Sequence, residues 1–84
     1  YARLGKVEKA IKFYEQALVI SREIKDRQGE GNSLGNLGLA YADLGEVEKA
    51  IKFYEQSLKI LIAIKSPNAQ IVKEALDKLK ENKK

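Results

Sequence analysis

Tyr41-Ala-Asp-Leu-Gly-Glu-Val-Glu-Lys-Ala-Ile-Lys-Phe-Tyr-Glu-Gln56 restates, at a spacing of 40 residues, Tyr1-Ala-Arg-Leu-Gly-Lys-Val-Glu-Lys-Ala-Ile-Lys-Phe-Tyr-Glu-Gln16. Only Arg3/Asp43 and Lys6/Glu46 differ, and the agreement continues at Leu18/Leu58, Ile20/Ile60, Ile24/Ile64 and Lys25/Lys65. Self-similarity at a period of about 20–50 residues marks an array of stacked supersecondary units. Each unit has an apolar face that only its neighbours can cover. Arrays of this kind present surfaces for binding more than pockets for chemistry.

Inside the repeat the apolar residues recur every three or four positions, and no stretch alternates at period two. Val7, Ala10, Ile11, Phe13, Tyr14, Ala17, Leu18, Ile20 and Ile24 form one broad helical stripe, with Gly5 before it and Gly29 after it. The second copy carries the stripe from Val47 to Ile64, and Pro67 marks its end. Between them a helix is predicted over roughly 30–44, with Leu34, Leu37, Gly38, Tyr41 and Leu44 on one face and Gly45 as a left-handed stop. Gly38 inside that helix costs about 1 kcal/mol relative to alanine, which a close approach by the neighbouring helix of the same hairpin would explain. A last helix, Asn68–Asn82, has Ile71, Val72, Ala75, Leu76 and Leu79 on its apolar face. Lys73, Glu74, Asp77, Lys78 and Lys80 back it, as suits a terminal cap. Connections of two to five residues make successive helices antiparallel.

Composition narrows the function classes. The 84 residues form one domain or part of one, and a chain of this size buries only about 60% of its unfolded surface. There is no cysteine and no histidine, which removes disulfides, thiolate sites, the commonest metal ligand and the commonest neutral-pH base. Neither a cofactor nor a metal is expected. The net charge of +4 comes from 16 basic and 12 acidic residues interleaved along the chain, a pattern of solvated helix surface. Lys78, Lys80, Lys83 and Lys84 make a local basic excess, interrupted by Asp77 and Glu81, so a fraying tail is expected there, without nucleic-acid binding. No apolar run approaches the ~20 residues of a membrane span, and no secretory signal is present. A membrane partner is therefore not expected, and the composition fits a cytoplasmic protein. Beginning at Tyr1 without methionine, the chain has the look of a fragment of a longer array.

The stretch Asn36-Leu-Gly-Leu-Ala-Tyr-Ala-Asp-Leu-Gly-Glu-Val-Glu-Lys-Ala-Ile-Lys-Phe-Tyr-Glu-Gln-Ser-Leu58 strongly resembles a tetratricopeptide repeat. Leu37, Gly38 and Tyr41 match the first helix of the unit, with Leu34 in place of a frequent tryptophan. Ala50, Phe53, Tyr54 and Ser57 match the second, Ser57 departing from the usual alanine that Ala17 keeps in the first copy. The period of 40, longer than the usual 34 of the family, together with Leu34-Gly-Asn-Leu-Gly38, is similar to the longer repeats named for Leu-Gly-Asn and to those of kinesin light chains. The resemblance implies an all-α solenoid of four helices, in which antiparallel hairpins stack into a right-handed superhelix. Residues 1–29 are then a partial repeat, 30–65 the complete one, and 66–84 a capping helix with a basic tail. Tyr1–Leu4 would be the end of a first helix, and the stripe around Ala10, Phe13 and Ala17, short of a partner, would invite a dimer or domain exchange.

The resemblance also implies a concave groove lined by the first helix of each unit, taking an extended or helical peptide of a partner protein. On the side of helix 30–44 away from Leu37 and Tyr41, three- and four-residue spacing aligns Asn32, Asn36, Leu39 and Asp43. Asn36 is the best candidate, because its amide both donates and accepts and so suits a peptide backbone. Asn32 stands where several Leu-Gly-Asn-type repeats carry arginine, which argues against a strongly acidic ligand. Leu39 would meet an apolar ligand side chain or the next helix, Asp43 lies near the helix end, and Gly35 leaves space.

Other chemistry finds little footing. Gly29-Glu-Gly-Asn-Ser-Leu-Gly35 is a poor match to a phosphate loop, its third glycine being a residue late and no strand preceding it. Gly31 and Gly35 have surroundings too polar for a membrane helix dimer. Ser21, Ser33, Ser57 and Ser66 have no histidine to activate them. The repeated glutamates Glu8/Glu48 and Glu15/Glu55 sit among lysines as surface pairs, and the tyrosine pairs 1/41 and 14/54 fit packing roles. The expectation is a non-catalytic scaffold or adaptor that recognises a protein or peptide. Its rival is a self-assembling repeat with no separate ligand.

Overall fold

A computed structural model of the chain describes the backbone of residues 2–82 and the side chains of residues 5–81. Four helices make up the described chain: α1 (Ala2–Glu23), α2 (Arg27–Asp43), α3 (Val47–Ala63) and α4 (Asn68–Asn82). The all-α class expected from the periodicity is what the chain adopts. Links of three or four residues turn each helix back on its predecessor. Packing runs α1 on α2, α2 on α3 and α3 on α4, with a further contact between α2 and α4, and side chains of α1 and α3 join one cluster around α2. At 35 × 28 × 17 Å the molecule is a slab two helix layers thick.

The three links share one closure. At the first, Lys25 N–H donates to Arg22 C=O and Asp26 N–H to Ser21 C=O; Gly45/Ala42 with Glu46/Tyr41, and Lys65/Ile62 with Ser66/Leu61, repeat it. Each crossed pair needs a left-handed residue just past the helix. Gly45 at φ +81° supplies it without a Cβ, whereas Lys25 at +60° and Lys65 at +58° adopt it as side-chain-bearing residues. The sequence flagged the glycine. The two lysines it could not flag, since nothing in their residue type favours that region.

Two boundaries differ from the sequence reading. The first helix does not start after Gly5 but runs through it from Ala2. The same Leu-Gly pair breaks the chain at Gly45 because α2 can then fold back on α3, with Tyr41 stacked on Phe53 at 5.3 Å. No described helix waits before Gly5, so continuing the hydrogen-bonded ladder is the cheaper course. The second helix starts at Arg27, three residues early, because the Asp26 carboxylate caps it by accepting from Gly29 N–H at 3.0 Å. The packing role expected of Tyr1, and the tail residues Lys83 and Lys84, lie outside the described residues.

Two apolar clusters hold the layers together. Ile11, Leu18, Leu34, Leu37, Ala40 and Ile60 join α1, α2 and α3; Tyr54, Leu61, Val72 and Leu76 join α3 to α4. Polar clips fix the register. Glu30, buried in the first turn of α2, pairs with Arg22 at 3.2 Å and Arg27 at 2.9 Å, tying the end of α1 to the start of α2. Ser57, the residue that departs from alanine, donates its hydroxyl to Gly31 C=O at 2.6 Å in the α2–α3 seam. At the far end, the positions 40 residues after Leu34, Leu37, Gly38 and Tyr41 are Glu74, Asp77, Lys78 and Glu81, all exposed. The side that receives a helix in α2 is charged in α4.

Candidate functional site

A groove of about 440 Å³ lies between α2 and α4, with α3 as its floor. Its size falls within the ~300–1,000 Å³ of ordinary ligand clefts. Gly31 and Gly35 leave the α2 wall low, and each is small for a reason visible in the packing. A Cβ on Gly31 would come within 2.7 Å of Leu61, and one on Gly35 within 3.2 Å of the Ser57 hydroxyl. Tyr54 and Leu61 reach up from α3, while Asn68, Ile71, Val72 and Ala75 form the α4 wall. Leu39 on one lip and Ile71 on the other are large apolar residues left 55% and 67% exposed. No lining residue carries a formal charge.

Four of the five expected groove residues, Asn32, Gly35, Asn36 and Leu39, line this groove. Asp43 does not; it borders a second depression of about 80 Å³ against α1, which Asn36 and Leu39 also border. The two depressions thus meet on the Asn36–Leu39 ridge. The two asparagines differ in state. Asn32 Oδ1 already accepts from Asn68 Nδ2 at 3.1 Å and Gln28 Nε2 at 3.3 Å, and Gln28 also donates to Ser66 Oγ at 3.3 Å. That polar strap closes one end of the groove. Asn36, one turn further on, is exposed, and its amide has no partner among the described residues.

The α4 contribution was missed from sequence, where α4 stood as a cap alone. The signal was present: Ile71 and Ala75 are four apart and offset from the Val72–Leu76 pair that enters the core. Tyr54 was read as packing, and it is buried. Burial, then the nearby Asp43 charge, pushes its phenol above the usual 10.0. Below pH 10 the neutral phenol is present in both folded and unfolded chains, and stability is intact. As pH rises past 10 the unfolded chain loses its proton first, and stability drains until the folded phenol also ionises. Tyr54→Phe should therefore flatten the alkaline fall in unfolding free energy, read by urea melts between about pH 8 and 11. A slope equal to that of the parent would refute this assignment.

The geometry places a glycine-bearing helix against an aromatic-bearing partner, Gly38 beneath the Tyr54 ring, inside a 40-residue repeat. The family model described as tetratricopeptide repeat matches residues 1–63. The chain belongs to the tetratricopeptide repeat family. Comparison with curated proteins and with solved structures returns no match. Tetratricopeptide repeats commonly mediate protein–protein interaction and are typically non-catalytic scaffolds. The matched segment spans α1 to α3, so the α4 wall of the groove lies outside the tetratricopeptide match. No helix is long and apolar enough to cross a membrane among the described residues.

Proposed function

We propose that this tetratricopeptide module holds a peptide segment of a partner protein in the groove between α2 and α4, as a non-catalytic scaffold or adaptor. Residues 30–65 serve as its complete unit, flanked by the partial unit 1–29 and the capping helix and tail 66–84. The observation that carries the reading is the unpartnered Asn36 amide, set between exposed apolar lips. A peptide backbone gains a donor and an acceptor from that amide, while one or two apolar side chains desolvate Leu39 and Ile71. Asn32, held by Asn68 and Gln28, contributes shape, and Asp43 stands apart from the main contact. An uncharged lining favours an apolar peptide and makes affinity nearly independent of salt.

A displayed library of random peptides, panned on the folded chain, supplies the test. The expected winners are apolar peptides whose binding perturbs the amide NMR signals of Gly35, Asn36 and Ile71. Asn36→Ala should weaken them about fivefold to tenfold, the worth of one hydrogen bond to an unpaired group. Peptides that bind with full affinity to Asn36→Ala, or that perturb only α1, would overturn the proposal.

A further inference from the structure

We infer that the Tyr54 hydroxyl, on the floor of the α2–α4 groove, selects a peptide that carries a neutral amide side chain, glutamine or asparagine, between apolar residues. The inference rests on the peptide-binding reading above and names the chemistry of that peptide. Tyr54 is only 5% exposed, with its ring pressed under Gly38. Its hydroxyl makes no hydrogen bond with any described residue. Yet no side-chain oxygen or nitrogen among the described residues is both sealed from solvent and without a partner. The sliver of surface that Tyr54 keeps therefore includes its hydroxyl. Tyr54 lines the main groove and not the smaller depression, so that hydroxyl opens into the groove.

The next hydroxyl along α3 gives the contrast. Ser57, three residues on and fully buried, is spent on Gly31 C=O at 2.6 Å. The Tyr54 hydroxyl is spent on nothing, although a phenylalanine ring would fill the same space under Gly38. A peptide side chain that drives water off this floor must replace the hydrogen bond that water gave the phenol. Otherwise a buried donor is left unmade, which costs more than the bond itself is worth.

Charge decides which polar side chain fits. No lining residue carries a formal charge, so an ion brought to the floor gives up its hydration for little in return. Glutamate loses further, because the Asp43 carboxylate lies close enough to act on the phenol and repels a second anion. A lysine ammonium only donates, and leaves the phenol proton without an acceptor. Serine and threonine carry their hydroxyl one bond beyond Cβ and reach least far toward a floor. The primary amide of glutamine or asparagine is neutral and offers the phenol an acceptor and a donor together. It is the charge match for an uncharged floor that holds one free hydroxyl.

The probes that test this are blocked pentapeptides Ala-Leu-Xaa-Leu-Ala. Xaa is glutamine, its apolar near-isostere methionine, or its charged isostere glutamate. Binding to the folded chain and to Tyr54→Phe is followed by NMR titration of the Gly35, Asn36 and Ile71 amides. On the parent chain the glutamine peptide should bind about fivefold to tenfold tighter than the methionine peptide, and glutamate no better than methionine. Tyr54→Phe keeps the ring, and there the preference for glutamine should vanish while the methionine peptide binds at least as well as before. A phenol that only packs would leave the preference unchanged, and that result overturns the inference. So does equal binding of glutamine and methionine on the parent, while the moving amide signals would keep the groove reading alive. No shift with any of the three peptides up to about 10 mM also overturns it, and the random library then decides the groove reading alone.

Discussion

Leu37→Ala is expected to lower the unfolding free energy by about 2–5 kcal/mol, the largest loss of any substitution argued for this chain. Leu37 has no exposed surface and sits where α1, α2 and α3 meet, with Leu34, Ile11, Leu18 and Ile60 in the same cluster. Truncation removes transfer energy and leaves a void that three helices, each tied by short links, cannot all close upon. A chain of 84 residues has roughly 4–13 kcal/mol in total, so the variant stands near half-unfolded at the lower bound. The melting temperature should fall by roughly 10 °C or more. Thermal unfolding followed by circular dichroism checks this, and a drop under about 4 °C would mean the cluster relaxes far more than its packing suggests.

Gly38→Ala carries the second-largest effect, and here two terms oppose each other. Alanine in place of glycine in a helix interior favours folding by about 1 kcal/mol. Against that, the new Cβ would stand 2.8–3.0 Å from three atoms of the Tyr54 ring. The ring is rigid, buried and packed between α2 and α4, so the helices must part, at about 1–3 kcal/mol. The overlap wins, and net destabilisation is expected. Gly5→Ala is the internal control: Gly5 is also helical, and its Cβ would meet nothing within 4 Å. That substitution should stabilise by the full propensity gain of about 1 kcal/mol. Urea unfolding of the two variants should move in opposite directions. Equal shifts of either sign would show that Gly38 is not held by Tyr54.

The contrast between these two glycines shows how far the sequence could be read. Periodicity located all four helices, the repeat aligned α1 with α3, and the cost of a glycine inside a helix tied Gly38 to its neighbouring helix before any contact was visible. The same repeat misled at Gly5. Identical residues end a helix at Gly45 and continue one at Gly5, since the ending depends on whether another helix is present to fold against. In the candidate groove, helical spacing sufficed to align Asn32, Gly35, Asn36 and Leu39 on one side of α2. It did not reveal that Asn68 occupies the Asn32 amide or that Ile71 forms the facing lip. Those facts depend on how α4 sits across α3, a relation between segments far apart in the chain. Asp43, two turns beyond Asn36, borders the smaller depression against α1.

The unlike ends of the slab also set a direction for anyone wishing to lengthen it. Further 40-residue units inserted ahead of α1 would find Phe13, Ile20 and Ile24 waiting to be covered, and each addition would gain buried surface without redesign. Units appended after α4 would find Glu74, Asp77, Lys78 and Glu81, and would stack only once those four were made apolar. As a building block, this chain extends from one side only.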